Sequence, residues 1–164
     1  MEIGQLRTQL MTLLNQQIGA PVIEADGMGK KPTVPHVTYK FTRMYGKDVG
    51  GEVLEGKDIQ GVFKLVKSDS YKATISFTAY ATDDDASRDL AQKVYDWFSF
   101  TGYDYLMNMN IAVVEQTDVI NRDIFIIENY ERRNGFDVII RVARELMRDI
   151  YTIENVESAG STEQ

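Results

Sequence analysis

The stretch Asn129–Val142, NYERRNGFDVIIRV, constrains the fold of this chain more than any other. Asn134-Gly135 supplies two residues that tolerate the positive φ of a tight type I′ turn, so the flanking runs are expected to pair as an antiparallel hairpin. A two-residue turn there sets Arg132 opposite Asp137 and Glu128 opposite Arg141, two opposite-charge pairs on a face that also carries Tyr130 and Ile139. That face reads as a contact surface. The same register sets Phe136, Val138, Ile140 and Val142 opposite Arg133, Glu131, Asn129 and Ile127, a poor match for one buried face. A bulge or twist is therefore expected to intervene.

Elsewhere, periodicity assigns the elements. Ile3, Leu6, Leu10, Leu13, Leu14 and Ile18 recur at helical spacing and stop at Gly19 and Pro21, which predicts an amphipathic N-terminal helix. Val22-Ile23-Glu24 reads as an edge strand, DGMGKKPTVPH as a loop, and HVTYKFTRMY from His36 as a strand. The polar, glycine-rich segment 46–61, interrupted by Val53-Leu54 and Ile59, reads as a mobile loop or a β-hairpin arm. Strands are expected at 62–67 and 70–82, the second with Tyr71, Ala73, Ile75, Phe77, Ala79 and Ala81 on its core face. Asp83-Asp84-Asp85 opens a helix to about Phe100, lined by Leu90, Ala91, Val94, Trp97 and Phe98. An aromatic connector, GYDYLMNMN, leads to a strand at 110–116, and Ile124–Ile127 is the apolar core of a strand entering the hairpin. After a return strand at 136–143, RELMRD looks helical on its own, and IYTIENV at 150–156 looks strand-like.

The predicted class is α+β: a single mixed, mostly antiparallel sheet flanked by an N-terminal and a central helix, with a protruding hairpin or loop arm. Residues 1–157 are expected to form one domain and 158–164 a disordered tail.

Composition narrows the chemistry. A net charge of −7 with scattered basic residues argues against a protein that grips nucleic acid by neutralising phosphates. No apolar run approaches the ~20 residues of a membrane span, and the N-terminal stretch lacks the pattern of a secretory signal. With no cysteine and the single His36, thiolate and paired-histidine metal sites are not available. His36 reads as structural or solvated, and the Asp83–Asp85 triplet as a helix cap in preference to a cation site. No phosphate loop or nucleophile elbow occurs, and no spacing among the many Asp and Glu singles out a carboxylate pair. The aromatic group Tyr95, Trp97, Phe98, Phe100, Tyr103 and Tyr105 reads as core on one side, with an interface role open for its tyrosines. No catalytic residue, metal ligand or cofactor site is assigned.

The pattern YERRNGFDVIIRV followed by IYTIENVE, behind a helix, a Pro-rich loop into PHVTYKF, a long strand and an acid-capped helix containing Trp97, resembles the neck or tail terminator proteins of tailed bacteriophages. The likeness covers most of 1–157. It implies a non-enzymatic virion protein, made in the host cytoplasm and placed at the tail–neck junction. There it would form a ring, usually a hexamer, that caps the tail tube and meets neck and head-completion proteins. DNA would pass an acidic lumen without specific binding. Tyr130, Arg132, Arg133, Asp137 and Arg141, with Val53 and Leu54 on the arm, are the expected interface residues. A head-completion adaptor, a tail-tube subunit and, from another class, a small-molecule-binding domain are the alternatives.

Overall fold

Ile3–Ile18 forms α1, whose Leu6, Leu10, Leu14 and Ile18 make the buried stripe that their spacing predicts. The expected edge strand β1 (Val22–Glu24) lies parallel to β2 (His36–Lys47). Then follow β3 (Val53–Ile59), β4 (Val62–Ala81), α2 (Asp84–Asp96), a π-helical turn at Trp97–Thr101, and α3 (Tyr103–Asn108). The last strands are β5 (Ile111–Gln116), β6 (Ile120–Asn121), β7 (Ile124–Ile126) and β8 (Asn129–Asp149). This computed structural model describes residues 3–48, 50–127 and 129–150. The fold is α+β, as predicted: an open mixed sheet of order β1-β2-β4-β8-β5, with β3 added to β4, and β6 and β7 added to β8.

Two very long strands organise the molecule. β4 and β8 pair antiparallel without a register shift from Lys64↔Asp149 to Ala81↔Arg132. At about 3.3 Å per residue that ladder is roughly 55 Å long. Its middle carries the core. Tyr71, Ala73, Ile75, Phe77 and Ala79 of β4 meet Val142, Ile140, Val138, Phe136 and Asn134 of β8, all of them buried. Helices α1 and α2 supply Leu6, Leu10, Leu14, Ala91 and Val94 to the same cluster. The strands expected at 62–67 and 70–82 are thus one element, and the core face is the one that alternation assigned.

The hairpin expected at Asn134-Gly135 does not exist. Both residues lie inside β8, paired with Ala79 and Thr78. The buried Asn134 donates its side-chain amide to Ser87 Oγ at 2.7 Å and Asp84 Oδ1 at 3.0 Å, so it ties the strand to α2. Gly135 has no left-handed backbone. It is needed for room: a Cβ there would lie closer than 3.0 Å to the carbonyl oxygen of Phe77 and against the Arg122 side chain. The straight strand also removes the register conflict, because Phe136, Val138, Ile140 and Val142 now share one buried face opposite β4. The charge pairs read from the turn are absent as well. Tyr130 and Arg132 fall on the opposite face from Asp137, Ile139 and Arg141, and Glu128 lies outside the described residues.

Of the segment 46–61, Gly46 and Lys47 end β2, and Val53–Ile59 is the outer strand of an arm. β3 pairs with the start of β4 from Val53↔Ser68 to Ile59↔Val62, and the connecting Gln60 and Gly61 have φ of 56° and 81°. Those two positive φ values make this a tight hairpin turn. The Asp58 carboxylate accepts from the Gly61 amide at 2.8 Å. RELMRD is no helix: 144–149 continues β8, because the ladder to β4 from Asp69↔Arg144 to Lys64↔Asp149 outweighs local helix propensity. The aromatic connector contains a helix, α3. The strand read at 150–156 and the tail at 158–164 fall almost wholly outside the described residues.

Asp83 caps α2 as predicted, with Oδ1 accepting from the Ala86 amide at 2.8 Å. Asp83→Ala is expected to cost about 1 kcal/mol, read as a small fall in the urea midpoint. An unchanged midpoint would show that Asp84 and Asp85 suffice at that terminus.

Candidate assembly surfaces

The charged residues proposed for contacts are each matched within their own chain. Arg132 donates to Asp123 Oδ2 at 2.8 Å and lies over the Tyr130 ring, 5.0 Å from its centroid. Asp123 also accepts from the Arg133 amide at 2.6 Å. That backbone hydrogen bond, then the one from Arg132, holds the Asp123 carboxyl below the usual carboxylate range. Arg133 pairs with Glu131 and packs 5.0 Å from the centroid of the Tyr80 ring. Asp137 pairs with Arg122 at 3.1 Å. Arg141 meets the buried Asp48, which also accepts from Ser70 Oγ at 2.9 Å and faces Lys72 Nζ at 3.3 Å.

Arg122 is the organiser that sequence reading missed. Its guanidinium crosses the bare backbone at Gly135 and bonds Ser76 Oγ at 2.9 Å, Thr78 Oγ1 at 3.1 Å and Asp137. A lone glycine inside a strand pattern was the available signal, since it marks a close approach. At the base of the arm, Arg144 plays a similar part. It donates to Asp69 at 2.6 and 3.1 Å and covers the rings of Tyr45 and Tyr71. The Arg144 hydrogen bond is the main cause of the lowered Asp69 pKa.

These two carboxyls set a pH dependence. Their folded pKa values lie below the unfolded value of about 3.9, so their stabilisation is complete above that value and is lost as pH falls through the folded values. Thermal midpoints should therefore hold from neutral pH to about pH 5 and fall below about pH 4. Asp69→Asn and Asp123→Asn should each flatten part of that acid limb. An identical limb in both variants would refute the assignment.

Exposed apolar side chains gather in two places. On the arm, Val53 and Leu54 are 52% and 56% exposed, and Val62, Phe63, Leu146 and Met147 are exposed beside them. At the far end of the ladder the β7–β8 hairpin presents Ile124, Phe125, Ile126 and Ile127, with Phe125 packed edge-on against Tyr130. Among the aromatic group, Trp97 and Phe98 are core, whereas Phe100, Tyr103 and Tyr105 face solvent.

His36 is buried and stacked on Tyr80 at 4.6 Å, and desolvation lowers its pKa. Among the described residues no group of three or more His, Asp and Glu could hold a metal ion. A hollow of about 630 Å³ beside Ser68, Asn110 and Glu145 contains Asp69, already committed to Arg144. No described helix is long and apolar enough to cross a membrane.

The molecule is thus an α+β subunit with exposed apolar surfaces at both ends of its long ladder. Residues 5–164 match the family model of the phage neck terminator protein, and the chain belongs to that family. It is thus a structural protein of the phage neck, a virion component that meets other neck and tail proteins. Comparison with curated proteins gave no match.

Proposed function

We propose that this protein assembles into a closed ring, usually a hexamer, that terminates the tail tube and joins it to the head's neck. One observation carries the reading: two different exposed apolar surfaces stand at opposite ends of the β4–β8 ladder. A head-to-tail contact requires two unlike complementary surfaces on every subunit, and rings arise when its rotation closes. The partners are further copies of itself, the tail-tube protein and head-completion proteins. A net charge of −7 per subunit suits a lumen through which DNA slides without being held.

Native mass across a concentration series, with negative-stain images of the same samples, tests the proposal. A closed ring of few copies supports it. Open-ended tubes would assign a tail-tube role instead. A chain that stays monomeric even with purified tail tubes would overturn it in favour of a binding domain.

A further inference from the structure

We infer that Lys30 and Lys31 of one copy enter an acidic hollow between α1 and α2 of the next, an inference that rests on the ring reading above. The hollow, about 540 Å³, is walled by Gln17 and Ile18 at the end of α1 and by Asp89, Gln92, Asp96 and Trp97 across from them. Its chemistry calls for a cation. The exposed Asp89 carboxylate has no hydrogen-bond or ion-pair partner among the described residues. Asp96 is the last residue of α2, where the negative end of the helix dipole disfavours an acid, and it accepts the neutral amide of Gln92 at 2.9 Å. The one lysine in the wall, Lys93, is already committed to the Ile18 carbonyl at 2.6 Å. The indole N–H of Trp97, buried in the same wall, meets no acceptor among the described residues. A buried donor of that kind is uncommon, and a backbone carbonyl of an entering segment would satisfy it. Ammonium groups together with backbone carbonyls describe a lysine-bearing stretch of polypeptide.

The loop between β1 and β2 offers that stretch. Lys30 and Lys31 are exposed, and neither has an ion-pair partner among the described residues. Asp26, the one acid between 26 and 35, is taken up by Lys40 at 2.7 Å. Lys31 lies over the Tyr80 ring, 5.8 Å from its centroid. Tyr80 alternates along β4 with Phe77 and Ala79 of the core cluster, so its ring is on the face of the sheet turned away from α1 and α2. Lys31 is therefore across the sheet from the hollow of its own chain, and the lysines that enter a hollow come from another copy. Unlike surfaces on opposite faces give a head-to-tail contact. Two lysines match Asp89 and Asp96 charge for charge. In a chain of net charge −7, copies that otherwise repel one another attract there.

Exchanging the charges tests the contact. One variant carries Lys30→Glu with Lys31→Glu, the other Asp89→Lys with Asp96→Lys; all four side chains are exposed, and matching thermal midpoints would confirm that each variant folds. In ring-forming samples, with tail tubes present if needed, each variant alone should need about tenfold more protein or more for half-assembly, because its loop then meets a hollow of like charge. An equimolar mixture should assemble as the unaltered chain does. Native mass should then show equal numbers of the two variants, since acidic loops meet basic hollows and basic loops meet acidic ones in alternation. Rings from either variant alone at the unaltered chain's concentration, or a mixture that assembles no better than its parts, would overturn this contact while leaving the ring reading intact. Failure of the unaltered chain to form rings under every condition would overturn both.

Discussion

Gly135→Ala is expected to destabilise the protein by about 3 kcal/mol or more, a fall in thermal midpoint on the order of 10 °C. The added methyl would press on the Phe77 carbonyl oxygen, a backbone atom in an unbroken ladder that cannot yield locally. On its other side it meets Arg122, with Nη1 at 3.0 Å and Cδ at 3.1 Å. Displacing Arg122 would also strand the hydroxyls of Ser76 and Thr78 and release Asp137. A matched control separates this from a turn effect. Gly61 has a φ of 81° and open space around its Cβ position, so Gly61→Asn should cost no more than about 1 kcal/mol. Asparagine at Gly135 should be at least as damaging as alanine. Urea midpoints of the three variants decide it, and a tolerated asparagine at Gly135 would restore the turn reading.

Phe136→Ala and Phe125→Ala should divide stability from assembly. Phe136 is fully buried, with Phe77 stacked on it at 5.7 Å and Tyr95 edge-on at 5.3 Å. Its truncation should cost about 3–5 kcal/mol. Phe125 is 61% exposed and, among the described aromatic rings, touches Tyr130 alone. Losing it should change the melting of the isolated chain by at most about 1 kcal/mol while weakening ring formation. The measurements are a thermal melt and a native mass on each variant. Assembly untouched by Phe125→Ala would sink the role given to the hairpin.

Much of the frame was legible because it is written in short-range patterns. The stripe Leu6, Leu10, Leu14 and Ile18 and the alternation from Tyr71 to Ala81 each expose a buried face within a few turns or rungs. The cap at Asp83 needs nothing beyond Ala86. The family resemblance held for the whole chain, although one of its distinctive residues, Gly135, was assigned the wrong physical job. The interface residues fared differently: Val53, Leu54 and Tyr130 are exposed, whereas the charged ones are held by Asp123, Glu131, Arg122 and Asp48, none of which the turn-based register supplied.

The sequence by itself determined the N-terminal helix, the acid-capped helix after Asp83, which face of β4 is buried and that no common metal constellation could be built, since these follow from local period and residue type. The tertiary structure alone decided the course of 129–149 and the partners of its charges. Asn-Gly permits a tight turn but does not compel one. The long-range ladder to β4 offers 134–135 backbone partners, and α2 offers Asn134 its side-chain partners, which outweighs the turn. Gln60-Gly61, a weaker turn signal, became a hairpin turn, with β3 folded back along the edge of β4 that β8 leaves free there. Ion pairs such as Arg141 with Asp48 join residues far apart in the chain, and such contacts exist only once the sheet has brought their strands together.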